Sequence, residues 1–291
     1  MNWMKFKIVY YLVSAVFIGL GVYSLARWGL NLGIDFTGGA LVEYKLGQEI
    51  STDDAQKSIE SLDFKISSVQ KTGDKSYLFR LGNIESKDRD KINKTLSDKF
   101  GGEVEEVKYE NVGPSIGSDL VKKTAYALAI ASVCILLWVA IQFKSVKYGV
   151  CAILAMFHDS FILVGLFSLL GHLYEAEVDF MFVTALLTTL SFSVHDTIVV
   201  YDRIREAQKK YTDDLVGLSN KALSETMVRS LNNSFTIIFM LVALILLGGV
   251  TIRWFAVALL IGTISGTYSS PFVAVPLLVT WNQLVSKIKR K

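Results

Sequence analysis

The chain has 291 residues, 52% of them hydrophobic and 20% charged, with a formal net charge of +3. A soluble protein of this length spreads its charges, but here they are clumped between long uncharged runs, which excludes an ordinary soluble domain. So small a positive excess is no nucleic-acid signature, and the two cysteines, Cys134 and Cys151, lie in or beside apolar runs and argue against a disulfide framework.

The first apolar run follows Lys5 and Lys7 and extends over residues 8–28. It exceeds a usual signal-peptide core, and Ser24-Leu25-Ala26-Arg27-Trp28 is a poor cleavage site, so a retained first span is expected, with residues 1–28 forming the N-terminus and span one. Asn31–Gly39, NLGIDFTGG, comes next. Asp35 falls beyond the apolar run and is no intramembrane carboxylate, while Gly38-Gly39 marks a turn from membrane to domain.

Residues 29–121 hold 12 Lys and Arg against 17 Asp and Glu, a net of −5. Alternation over 40–46, 64–71, 76–81 and 103–109 predicts four strands, and 51–62 and 86–100 read as helices, the second stopped by Gly101-Gly102. The order β-α-β-β-α-β predicts a ferredoxin-like α+β layer. Asn111–Asp119, with Gly113, Pro114 and Gly117, reads as the linker into span two.

Uncharged stretches recur between Lys123 and Lys144, Arg229 and Arg253, and Arg253 and Lys287; Lys147–Glu175 holds only Asp159, and Asp179–Asp202 only Asp196, with histidines counted neutral. Each is long enough for the roughly 20 apolar residues that cross a bilayer. The expected architecture is therefore a polytopic α-helical membrane protein of six spans with the α+β domain between spans one and two. Spans two to four occupy 122–202, a polar connector suited to a surface-lying amphipathic helix 203–229, spans five and six 230–282, and a basic tail 283–291. Lysines and arginines gather at both termini, at Lys144 and Lys147, and through 203–229, whereas the opposite loops hold Glu175, Glu177 and Asp179 in one case and a lone Arg253 in the other. By the positive-inside rule both termini are cytoplasmic and the α+β domain lies outside. In span six, Gly262, Gly266 and Ser270 recur every four residues, a spacing for close helix approach, and Pro271 and Pro276 imply a kink whose freed backbone groups need partners.

Asp196 is the most informative residue. It lies six positions before Asp202, about 9 Å along the helix from the charged boundary. A carboxylate inside a membrane helix is costly to keep charged, which makes it a candidate proton carrier; the alternative is a packing aspartate bonded to a neighbouring Ser or Thr. Arg229, where span five begins, is its candidate partner, or a snorkelling arginine that merely obeys the charge rule. His158-Asp159 lies about 18 Å along its helix from Lys147, near mid-membrane, and reads equally as a proton relay or an interhelical hydrogen-bond site. His195 points to a different helix face from Asp196 and is a candidate for tuning it. Asp202-Arg203-Ile204-Arg205-Glu206 reads as a helix end with local ion pairs.

Four stretches, GIDFTGG at 33–39, HD at 158–159, DTIVVYDRIRE at 196–206 and GTYSS at 266–270, stand in one order along the chain. Together they resemble SecF, the smaller subunit of the bacterial SecD–SecF accessory complex, within the RND-type transporter superfamily. The resemblance covers essentially the whole chain. It implies a multi-pass protein of the bacterial inner membrane that, with SecD, couples proton motive force to late-stage preprotein translocation. The implied partners are SecD, the SecYEG translocon with YajC and YidC, unfolded preprotein and membrane lipid, with no nucleic acid, metal or cofactor. By the same resemblance Asp196 and Arg229 take the proton-coupling positions. Asp35, Gly38, Gly39, Asp202, Arg203, Gly266 and Tyr268 take structural motif positions. Two departures stand out: His195 replaces the family's usual Asn, adding a group that titrates near neutrality, and Gln142-Phe143-Lys144 replaces a turn that usually carries an acidic residue.

Two other classes were weighed. A small-molecule RND-type exporter is usually about twice this size or more, with paired outer domains. An intramembrane aspartyl protease could draw on Asp159 and Asp196, but no Gly-x-Gly-Asp partner exists, and zinc, nucleotide and serine-nucleophile motifs are missing. No enzymatic activity is expected.

Overall fold

The computed structural model describes residues 2–62, 64–102 and 104–289. Glu103, where the fourth strand was expected to start, and Arg290 and Lys291 of the basic tail lie outside the described residues. The chain divides into two compact units, one of residues 32–125 and one of 1–31 with 126–291.

In the smaller unit a helical turn α2 (Ile34–Thr37) leads through Gly38 and Gly39 into β1 (Gly39–Lys45); α1 (Lys7–Trp28) belongs to the other unit. Then follow α3 (Thr52–Glu60), β2 (Ile66–Gly73), β3 (Ser76–Leu81), α4 (Ser86–Phe100) and β4 (Glu105–Val112). The sheet order is β2-β3-β1-β4 with all neighbours antiparallel, the arrangement a ferredoxin-like β-α-β-β-α-β chain produces. Tyr44, Tyr77 and Phe79 of the sheet close on Ile59, Ile92 and Leu96 of the helices. Ser51 caps α3 by accepting a bond from the Asp54 amide at 3.1 Å. Gly39, at φ +125°, needs to lack a side chain: a Cβ there would meet the Leu81 carbonyl oxygen at 2.6 Å.

Among the described residues six helices are long and apolar enough to cross a membrane, and the protein is multi-pass. After α1 they are α5 (Pro114–Phe143), α6 (Val146–Tyr174), α7 (Phe180–Lys210), α8 (Leu215–Leu247) and a last span built from α9 (Val250–Ser269), a π-helical turn Ser270–Ala274 and α10 (Val275–Lys289). The linker expected over Asn111–Asp119 is shorter than that, because Pro114 opens α5, a position where its missing N–H costs nothing. The expected separate connector helix over 203–229 is also absent. Instead α7 runs to Lys210 and α8 starts at Leu215, with only Tyr211–Asp214 between them, and Asp214 caps α8 by accepting from the Gly217 amide at 2.8 Å. The polar stretch therefore forms two helix ends, with Asp214 as the N-cap that starts the second.

The larger unit sorts its spans by burial. In their most apolar stretches α6, α7 and the last span are each 56% buried, against 17%, 6% and 11% for α1, α5 and α8. An inner trio thus carries the packing. Along α7 and α9 the contacts repeat at constant register. A Cβ on Gly262 would lie 2.1 Å from Thr189 Cγ2, Gly266 approaches Ser193, and Thr197 Oγ1 and Ser270 Oγ share a 3.0 Å hydrogen bond. One turn further, Tyr201 Oη donates to the Ala274 carbonyl at 2.8 Å, inside the π turn that Pro271 accompanies. α1 packs on α6 through Gly21 against Gly165 and through Ser24 Oγ, which donates to Ser168 Oγ at 2.9 Å.

Candidate functional site

The inner trio holds two buried carboxylates. Asp159 on α6 is 4% exposed and Asp196 on α7 is 8% exposed. Their surroundings differ in the number of donors.

Asp159 accepts four hydrogen bonds. Ser193 Oγ and Ser269 Oγ donate to its Oδ2 at 2.6 and 2.5 Å, Ser265 Oγ donates to its Oδ1 at 2.7 Å, and His158 Nδ1 lies 3.0 Å from the same Oδ1. Ser265 and Ser269 are four apart and so share one face of α9, while Ser193 comes from α7. One carboxylate thereby ties three helices together, and fixed hydroxyl dipoles replace the water it lost.

Asp196 sits where α7 meets α8 and the start of the π turn. Ser230 Oγ of α8 donates to its Oδ2 at 2.6 Å. The hydroxyl of Ser270 borders the same carboxylate, Arg229 supplies the nearby positive charge, and His195 lies beside it. Arg229 and His195 are exposed, while Ser230 beside Arg229 is buried. Among the described residues no ion pair joins Asp196 to Arg229; the arginine acts at range, one residue from the hydroxyl that touches the carboxylate. The arrangement suits a group that gains and loses a proton: enough donors to hold the charge when it forms, and open acceptor capacity to spare.

Other residues singled out from the sequence fall into supporting places. Asp202 pairs with Arg205 at 3.0 Å, and Arg203 bridges Glu206 of its own helix at 2.7 Å and Glu225 of α8 at 2.5 Å. Arg205 also donates to the Gln142 carbonyl at 2.8 Å and stands over the Phe143 ring, so the departing Gln142-Phe143-Lys144 turn is bound to α7. Gly266 permits the close approach of α9 to α7, and Tyr268 Oη donates to the Tyr10 carbonyl at 2.8 Å. Gly38 and Gly39 form the positive-φ turn into β1, and Asp35 lies in α2 of the smaller unit.

Sequence reasoning named Ser270 only as a small packing residue and Ser269 only within GTYSS, and missed the polar lining that the serines make. Ser193, Ser230, Ser265, Ser269 and Ser270, with Thr197, make the polar lining, and their signal was positional. Ser193 stands three residues before Asp196, Ser230 follows Arg229, and Ser265 and Ser269 are spaced one helical turn apart.

Residues 91–284 match the family described as "Protein export membrane protein SecD/SecF, C-terminal", and residues 23–50 match the SecD/SecF GG motif. The chain is 40% identical to "Protein translocase subunit SecF" of Thermobaculum terrenum, over 95% of this chain and 92% of that one. The chain belongs to the SecD/SecF protein-export family. A SecF of Anaerolinea thermophila is 36% identical over 94% of this chain and 92% of that relative. The SecDF of Bacillus subtilis is 34% identical over 95% of this chain, which spans 37% of the fused relative. The crystal structure of SecDF from Thermus thermophilus, described as a translocon-associated membrane protein, superposes with a TM-score of 0.87 at 30% identity. That match covers 97% of this chain and 39% of that one. Within the family, then, this sequence has the extent of a SecF, and some relatives join it to a SecD in one polypeptide.

Proposed function

We propose that this chain is the SecF subunit of a Sec protein-export machine in a bacterial inner membrane, with both termini on the cytoplasmic side. Its partner is a separate SecD, and together they couple proton motive force to the late translocation of unfolded preprotein through SecYEG, with YajC and YidC as further neighbours. Two observations carry the assembly. This chain matches just over a third of a fused SecDF, and only three of its six spans are more than half buried. The exposed spans leave apolar surface for lipid and for a partner chain.

The carrier is Asp196, with Arg229 as the cation that favours its charged form. The single observation behind this is the under-filled carboxylate at the α7–α8–π-turn junction, with the Ser230 hydroxyl joining it to the helix that bears Arg229. A shift of α8 moves hydroxyl and cation together, changing the stability of the charged carboxylate; proton uptake and helix movement are then two sides of one equilibrium. No enzymatic step is involved. A paired-aspartate protease needs carboxylates that cooperate, whereas both oxygens of Asp159 accept bonds from hydroxyls on α7 and α9.

Gradient-dependent export in membranes carrying Asp196→Asn, with SecD present and assembly verified, tests the proposal. The variant should assemble and export should cease to respond to the gradient. A normal response would make Asp196 structural and move the coupling site to the partner chain.

A further inference from the structure

At the seam between α1 and α6 the buried ring nitrogen His158 Nε2 has no hydrogen-bond partner among the described residues. Buried polar atoms are almost always satisfied, so this exception calls for a physical reason. Ser14 of α1 stands at the same level. Gly21 meets Gly165 and Ser24 bonds Ser168, and this constant register carries Ser14 to His158. Tyr268 of α9 closes the third side, its ring stacked on His158 with centroids 6.4 Å apart and its hydroxyl bordering Ser14.

The tautomer of the ring follows from its other nitrogen. His158 Nδ1 lies 3.0 Å from Asp159 Oδ1, an atom that can only accept while the carboxylate is charged. Nδ1 therefore carries a hydrogen, and the neutral ring presents a bare lone pair at Nε2. That lone pair is buried and without a partner among the described residues; the residue is 7% exposed. Asp159 meanwhile has its acceptor positions filled by three serine hydroxyls, so in this knot the open place for a proton is on the ring and not on the carboxylate.

We propose that His158 is a second proton-binding site of this subunit, taking its proton on Nε2 at the seam of α1, α6 and α9, with Asp159 as the fixed counter-ion. Protonation adds one positive charge to the ring, and the carboxylate beside it turns the dyad from net −1 to neutral, with no other bond made or broken. The titratable groups around the ring are Asp159 on its own helix, Tyr268 on α9 and Tyr10 on α1, whose carbonyl accepts from Tyr268. From α7 the dyad meets Ser193, whose carbonyl accepts from Ser270 Oγ at 3.3 Å; Ser270 in turn borders Asp196. The two proton sites thus share one short stretch of structure at the head of the π turn, a turn type often found where function requires local adjustment. The functional meaning of the site rests on the proton-coupled reading of Asp196, whereas its existence does not.

Nitrogen NMR of the full chain with ¹⁵N-histidine, in bilayers with its SecD partner, tests it, with His158→Gln used to assign the signal against His172 and His195. Over about pH 8 to 5, the range in which histidine changes charge, His158 Nε2 should move from the lone-pair to the N–H region while Nδ1 remains protonated throughout. The same transition should appear in Asp196→Asn, so a failed export prediction at Asp196 and a failed prediction here are separate results. An Nε2 that keeps its lone-pair signal over the whole range, held by the Ser14 hydroxyl or by water, overturns the proposal; Ser14→Ala, which leaves Nδ1 and Asp159 untouched, then shifts that signal if the hydroxyl is the partner. A proton resident on Nε2 with Nδ1 bare overturns it equally.

Discussion

Asp159 and Asp196 lie on adjacent helices in one membrane core, and the difference between them is the number of hydroxyls aimed at each. Four donors from three places surround Asp159, and with both oxygens occupied the carboxylate behaves as a rivet between α6, α7 and α9. Asp196 receives the Ser230 hydroxyl and the flank of Ser270, with the Arg229 cation at range on an exposed position. On the reading proposed for Asp196, burial alone does not make a carboxylate a proton site. What decides there is whether its solvation is permanent or conditional on the position of a neighbouring helix.

The sharpest break in this comparison comes from Asp159→Ala. It strands the hydroxyls of Ser193, Ser265 and Ser269, each costing about 1 kcal/mol or more when buried without a partner. We expect a loss of about 3 kcal/mol, read as a fall in thermal midpoint and in the amount accumulated in membranes, while Asp196→Asn accumulates and melts like the wild type. Gly262→Leu comes next. Its Cβ alone would lie 2.1 Å from Thr189, and forcing α9 off α7 should cost about 1–3 kcal/mol or more and disturb both carboxylates together. Ser230→Ala removes one hydroxyl from a charged acceptor, worth about 1.5–3 kcal/mol to the ionised form. It should alter the pH dependence of gradient-driven export with little change in the amount of assembled protein.

The smallest effect lies in the α+β domain, as a control in the other unit of the chain. Asp88 sits in the capping box of α4, accepting from the Glu85 amide at 3.1 Å, and that bond, followed by the Lys91 ammonium, lowers its carboxyl below the ordinary value. A lowered folded value means a stabilising contribution fully present above the unfolded carboxyl's pKa of about 3.9, and lost as pH falls through the folded one. Hydrogen exchange of the first turn of α4 should accelerate on acidification in that window, and Asp88→Ala should flatten the response.

Much of this architecture was readable from charge gaps. Six runs without charge, apart from Asp159 and Asp196, gave the six spans, and alternation in 40–46 and 76–81 gave two strands that the structure places side by side. The four-residue spacing of Gly262, Gly266 and Ser270 announced a close helix approach, because only small residues permit one, and the structure gives that approach to α7. What stayed hidden has a physical cause. Serine in a membrane helix usually bonds back to its own carbonyl four residues earlier, so Ser193, Ser265 and Ser269 carry no outward mark that they would turn to Asp159 instead. The fate of 203–229 was hidden for another reason: polarity shows that a helix has left the apolar layer, but not that it continues unbroken, as α7 and α8 do.

Infrared difference spectroscopy of the assembled complex, recorded as the pH is lowered, tests the central claim most directly, since the stretch of a protonated carboxyl stands apart from that of a carboxylate. The account predicts a protonated-carboxyl band that grows on acidification, vanishes in Asp196→Asn and persists in Asp159→Asn. A band that survives Asp196→Asn and is removed by Asp159→Asn would show that the four-donor carboxylate carries the proton, and would contradict the account.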